Sequence, residues 1–247
     1  MSSSPSAESE FRQWFSFRGD KKNITWFPGH MIKGLRQMRK ALIETDCVVE
    51  VHDARIPLTG RNINFQHDIT GNKPHILVLN KKDLVFNPES DGKNHKDSDT
   101  EKRTDYLQQD IRERILKHEP NLSDVIFTNC KNVRCEGLQS VLPTAVKLIT
   151  ESERFNRKFS PDSNLLICGI PNVGKSSLIN LLRSATLNLK GKPMKVGAKP
   201  GITRALQTKI RVSDDPLVFL LDTPGIMMPN IRNIETGTIS YSSCILR

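Results

Sequence analysis

Short apolar runs alternate along the chain with longer segments of helical spacing. Cys47–Val51, His75–Leu79, Val125–Phe127 and Leu165–Cys168 are rich in Val, Ile and Leu and too short for helices, so each predicts a buried strand. The segments between them predict helices over Thr104–His118, Leu138–Thr150 and Lys175–Ser184. That alternation implies an α/β fold, a mostly parallel sheet flanked by crossover helices. Two further strands, Gln207–Val212 and Leu217–Leu221, enclose Ser213-Asp214-Asp215-Pro216, which has the composition of a hairpin turn. Ahead of the first strand, Ile32, Leu35, Met38 and Leu42 recur at helical spacing, with Lys33, Arg36, Arg39 and Lys40 on the other faces. This predicts a basic amphipathic helix whose charged side is either a solvated face or an RNA surface. Residues 87–105 are almost wholly polar and read as a surface loop or disordered insertion, and 151–164 as a polar connector.

Composition narrows the class. The 247 residues are 36% hydrophobic and 26% charged, enough to bury a real core, and suit one large domain with attachments. The longest apolar run, Leu217–Leu221, falls far short of the roughly 20 residues of a membrane-spanning helix. Five dispersed cysteines without a CxxC pair argue for reduced thiols and against a disulfide framework or zinc knuckle. The net charge of +10 suits a polyanionic partner, and most of the excess lies after residue 150. No secretory signal is visible in residues 1–25, which read as a leader, disordered or targeting.

Chemistry enters with Gly169-Ile170-Pro171-Asn172-Val173-Gly174-Lys175-Ser176, a G-x-x-x-x-G-K-S pattern that follows a predicted strand and opens a predicted helix. Such a loop turns backbone N–H groups toward phosphate oxygens at a helix N-terminus, so Asn172, Val173, Gly174, Lys175, Ser176 and Ser177 are candidate nucleotide ligands. Lys175 would neutralise the β/γ-phosphates and Ser176 would ligate Mg²⁺. Asp222-Thr223-Pro224-Gly225 ends an apolar strand; Asp222 would hold the Mg²⁺ through water and the Gly225 N–H would approach the γ-phosphate. Thr203, between the two motifs, is the candidate second hydroxyl ligand for Mg²⁺ and the switch residue.

The base would be read elsewhere. In Asn80-Lys81-Lys82-Asp83 the Asp83 carboxylate can accept from the ring N–H and the amino group of guanine, a donor pair that adenine lacks. Asn80 would brace this loop and the Lys81 stem would cover the base. Backbone groups at Cys130 and Lys131, in Thr128-Asn129-Cys130-Lys131, would meet guanine O6. The base-reading loops precede the phosphate loop, the reverse of Ras-like GTPases, so the chain reads as a circular permutation of that sheet with 151–164 as the joining connector.

Trp26–Met31 (WFPGHM), Val51–Arg55 (VHDAR) and GIPNVGKSS, in this permuted order, closely resemble the circularly permuted ribosome-assembly GTPases, and among them the mitochondrial members. The resemblance runs from about Trp26 to Gly237. It implies a P-loop GTPase domain over 26–237 that binds GTP and Mg²⁺, with K⁺ as a further cofactor, and acts in large-subunit assembly and translation. It also implies a mitochondrial matrix location, on or near the inner membrane, and large-subunit rRNA as partner; a monomer without a DNA partner is expected. His30 matches the histidine implicated in the family's catalysis, and Asn172 the asparagine that helps hold K⁺. Without the resemblance His30 reads equally as a packed loop residue or an RNA contact. Ile226 stands where Ras-like enzymes place a water-orienting Gln, so a slow intrinsic rate, raised by K⁺ and ribosomes, is expected. Residues 238–247 depart from the family pattern, and its helical C-terminal domain is expected to be absent. A non-hydrolysing GTP- or rRNA-binding module is the alternative. Asp53 and Arg55 form either a local pair or a contact with the nucleotide domain.

Overall fold

The computed structural model describes residues 40–57, 73–86, 98–154, 157–187 and 209–222. His30, Thr203, Gly225, Ile226, the segments 1–25, 87–97 and 238–247, and all but the last turn of the predicted basic helix lie outside them. Among the described residues six strands form one sheet: β1 (Cys47–Asp53), β2 (His75–Asn80), β3 (Asp124–Phe127), β4 (Ser163–Cys168), β5 (Ile210–Asp214) and β6 (Leu217–Asp222). Their order is β3-β2-β1-β4-β6-β5, parallel throughout except for the β5–β6 hairpin. The helices are α1 (Asp83–Phe86), α2 (Ser98–His118), α3 (Glu136–Glu151) and α4 (Lys175–Leu187).

The strands read as continuous apolar runs because both faces of the sheet are covered. On one face Val49, Val51, Ile76, Val78, Leu165 and Ile167 pack against α3 and α4. Leu138, Val141, Leu142, Ala145 and Ile149 give α3 an apolar stripe at helical spacing that fits this face. On the other face Leu77 and Leu79 pack against Ile115 of α2, while Val48 and Leu166 meet Ala41 and Leu42 of a helical turn at 40–43. Between those two clusters Glu50 accepts hydrogen bonds from His52 Nε2 and His75 Nε2, each at 3.0 Å. All three side chains are buried, a polar joint that the sequence pattern does not announce.

One expectation is corrected. Residues 98–105, read as part of a polar loop, form the first turns of α2. A helix needs an apolar stripe only where it meets the core, and here that contact begins further along, at Ile111 and Ile115. Residues 102–110 are exposed or half-buried, and pairs such as Arg114 with Asp110 and Gln109 with Glu113 support the helix. The connector is also shorter and more structured than its polarity suggests. Ser163 and Asn164 belong to β4, and Arg154 and Arg157 both grip Asp46, immediately before β1.

The topology explains where a site can form. The chain runs outward from β1 through β2 to β3, then returns past β1 to β4, reaches the edge as β5 and turns back as β6 between β5 and β4. The switch point therefore lies between β1 and β4, and in open α/β sheets ligands bind in the crevice outside the carboxyl ends of the strands at such a point.

Candidate functional site

The loop after β4 turns sharply into α4. Gly169 has φ of 139° and a Cβ there would collide with the Val51 carbonyl of β1, so only glycine lets the two strand ends pass. Gly174 has φ of 101°, and a Cβ there would strike Asn80 Nδ2. Asn172 also takes a left-handed conformation, φ 62°, which asparagine tolerates better than most residues. Lys175 opens α4 and is buried; its Nζ donates to the carbonyls of Gly169 at 3.1 Å and Ile170 at 2.8 Å. Ser176 and Ser177 follow in the first helical turn, both half-buried. Val173 is buried, and its carbonyl accepts from Asn80 Nδ2 at 2.7 Å.

That last bond makes Asn80 the joint of the site. Its Oδ1 accepts from the Cys130 backbone N–H at 3.1 Å and from Thr128 Oγ1 at 3.3 Å. One buried side chain thus ties the loop after β2, the loop after β3 and the phosphate loop. Backbone bonds reinforce the first two: Lys82 N–H donates to the Thr128 carbonyl at 3.1 Å, and Thr128 N–H to the Leu79 carbonyl at 2.8 Å. Burial pushes the Cys130 thiol up to about 12, with the Cys135 thiol adding to the effect, the Thr128 hydrogen bond opposing it and the Asp83 charge adding a little. Position 130 therefore offers a neutral thiol and a backbone, not a thiolate.

Asp83 starts α1. Its Oδ2 meets Lys131 Nζ at 3.2 Å, while Oδ1 is buried with no hydrogen-bond partner among the described residues. An orphaned acceptor of this kind costs stability unless a donor arrives. The chemistry of the site fits a nucleotide: an unpartnered carboxylate oxygen beside the base loop, and a glycine-shaped turn with a buried lysine at a helix N-terminus. For Mg²⁺ the donors would be Ser176, at the start of α4, and Asp222, which ends β6 with its Cα paired to that of Ile167. Among the described residues no group of His, Cys, Asp and Glu side chains could by itself hold a metal. A Mg²⁺ ion bound through one or two protein oxygens plus phosphate does not require such a group.

The pair left open by the sequence proves local and also reaches the base loop. Arg55 Nε donates to Asp53 Oδ1 at 3.0 Å and Nη2 to Oδ2 at 2.7 Å, while Lys81 Nζ reaches Oδ2 at 3.0 Å. Burial alone would raise the Asp53 carboxyl. The hydrogen bonds from Arg55 and the Lys81 charge outweigh it and hold the group below the usual carboxylate range. Arg55 is raised by its hydrogen bonds to Asp53; burial opposes this, and the charges of Asp53 and then Asp83 add to it.

Fold and motif order together define a P-loop GTPase domain, circularly permuted so that the base loops precede the phosphate loop. Residues 164–243 match the family described as 50S ribosome-binding GTPase. It is 48% identical over 227 residues to Mitochondrial GTPase 1 of Aedes aegypti, covering 92% of this chain and 66% of that protein. Mitochondrial ribosome-associated GTPase 1 of Mus musculus is 48% identical over 227 residues, with 92% and 62% covered. The Xenopus tropicalis protein of the same name is 46% identical over 228 residues, with 92% and 65% covered. The chain thus spans a little under two thirds of the length of these relatives.

Proposed function

We propose that this protein binds GTP with Mg²⁺ and hydrolyses it to GDP and phosphate, as a mitochondrial factor that associates with the large ribosomal subunit. The observation that carries the nucleotide part is the Asn80 joint, which draws the loops after β2, β3 and β4 together, while Asp83 Oδ1 has no partner among the described residues. The mitochondrial and ribosomal part rests on the names of the relatives.

In this reading Asp83 accepts from guanine, and the backbone at Cys130 and Lys131 lies along the same edge. Lys175 leaves the carbonyls of Gly169 and Ile170 for phosphate oxygens, an exchange of neutral acceptors for charged ones that favours the bound state. Bound Mg²⁺ would neutralise phosphate charge, held by Ser176 and, through water, Asp222. Thr203 and Gly225 complete the γ-phosphate contacts. His30 serves hydrolysis, and Asn172 contributes to a K⁺ site that supplies charge where other GTPases use an arginine finger.

The deciding experiment measures GTP and ATP binding, then GTP turnover with and without K⁺ and purified mitochondrial large subunits. GTP should be strongly preferred and turnover should rise with both additions. Equal affinity for ATP and GTP sinks the proposal. Asp83→Asn should move preference from guanine toward xanthine nucleotides, because an amide presents a donor where xanthine carries an oxygen. Ile226, where Ras-like enzymes have a Gln, favours the second reading of a GTP-holding module without turnover. Single-turnover assays separate the two, since that module would keep GTP intact even with subunits present.

A further inference from the structure

Asp53 ends β1, is wholly buried, and has its Cα paired with that of Asn80 at the end of β2. Its two carboxylate oxygens take three side-chain bonds, two from Arg55 and one from Lys81, the second residue of the base loop. Its Oδ1 also accepts from the Arg55 backbone N–H at 3.0 Å. Lys81 itself sits at φ of 63°, a left-handed conformation that costs a lysine about 1–2 kcal/mol and persists only where the surroundings over-determine it. Those surroundings are visible. The Asn80 carbonyl accepts from Ala54 N–H at 2.7 Å, the Lys81 carbonyl accepts from Leu84 N–H at 3.0 Å, and the Lys81 ammonium is moored to Asp53. A free carboxylate would not stay buried at this position; Arg55 keeps it charged and aimed.

We propose that Asp53 is a positioning residue for the nucleotide site: it holds Lys81, and through Lys81 the base-reading loop, in the geometry that retains a guanine nucleotide, with Arg55 as the cation that orients it. This rests on the guanine-binding function proposed above. The mooring draws the lysine head toward the end of β1, which leaves its alkyl stem, not its charge, to lie along the loop that would meet the base. Loss of the mooring should act mainly on nucleotide release, because the strained loop would relax between binding events and around the ligand.

The test is a double-mutant cycle on the full chain with a fluorescent GDP analogue, reading equilibrium affinity and dissociation rate from folded protein. Asp53→Asn keeps the side-chain volume and Lys81→Met keeps the stem without the ammonium. Each should weaken binding about tenfold, chiefly through faster release, and the double variant should be no weaker than the worse single one. Multiplying effects, or a lower melting temperature with unchanged affinity in Asp53→Asn, would make Asp53 a purely structural residue and overturn the proposal. If Asp53→Asn does not fold, Lys81→Met alone decides, since unchanged affinity there removes the role assigned to the mooring. Failure of the unaltered protein to bind GDP would instead fault the guanine-binding function itself.

Discussion

Strand β1 has a buried aspartate at each end, and each is gripped by two cations, yet the two clamps fasten different things. Asp46, at the amino end, is held by Arg154 and Arg157 from the connector and also accepts from Asn164 N–H at 2.8 Å. The same arginines bond the carbonyls of Ser160 and Asp162, so the clamp fastens the junction between α3 and β4. Asp53, at the carboxyl end, holds Arg55 and Lys81 and so fastens the base loop. Both satisfy a buried charge with opposite charge. Only the second lies where the topology opens a crevice, and so only the second is placed to influence a ligand. In a circularly permuted sheet this division is physically reasonable: the join needs an anchor of its own, at the end of the sheet away from the chemistry.

The largest expected effect is at the amino end. Asp46→Ala leaves the largely buried Arg154 without a carboxylate and Arg157 with Asp162 alone, and should cost about 3 kcal/mol in urea unfolding. Nucleotide release from the protein that remains folded should be unchanged; faster release would break the distinction between the clamps. At the carboxyl end the effect should depend on acid. The folded-state pKa of Asp53 is lowered, so its contribution to stability is present above about pH 4 and is lost as pH falls through the lowered value. The stability gap between the unaltered protein and Asp53→Asn should therefore hold steady at neutral pH and close in acid. A gap that widens as pH falls would contradict the ion-pair account. The smallest effect is expected from Arg114→Ala, which removes an exposed pair with Asp110 on α2 and should change stability by about 0.5 kcal/mol or less.

Legibility in the sequence followed the same division. The parallel strands were readable to within two residues because the interior of a parallel sheet is largely apolar on both faces, and Ile76–Leu79 or Leu165–Cys168 admit little else; the antiparallel edge strand β5 instead runs over Ile210–Asp214 and takes Ser213 and Asp214 from the expected turn. The strand-to-helix turn at 169–176 was readable because its glycines, lysine and serine fall within eight consecutive residues between two predicted elements. What sequence missed were charges that look solvated until their partner is known. Arg154 and Arg157 sit in a polar connector, and Asp46 lies 108 and 111 residues away. Asp53 and Arg55 suggested a pair, but nothing in the local pattern ties Asp53 to Lys81. The first turns of α2 were missed for another reason: residues 98–105 carry no apolar stripe, and helix propensity without periodicity reads as loop.

The bond from Asn80 to Val173 joins residues 93 positions apart. The loops it joins come from both halves of the chain, so the proposed nucleotide site is complete only when that long-range contact is made, and non-local pairing of this kind slows folding. Any ligand selective for the closed form then stabilises it by mass action, by about 2.7 kcal/mol at a hundred times its dissociation constant. Guanine nucleotide, as the proposed ligand, would thereby act as a folding partner, and the half-life of the newly made chain against proteolysis should lengthen with the nucleotide supply around it.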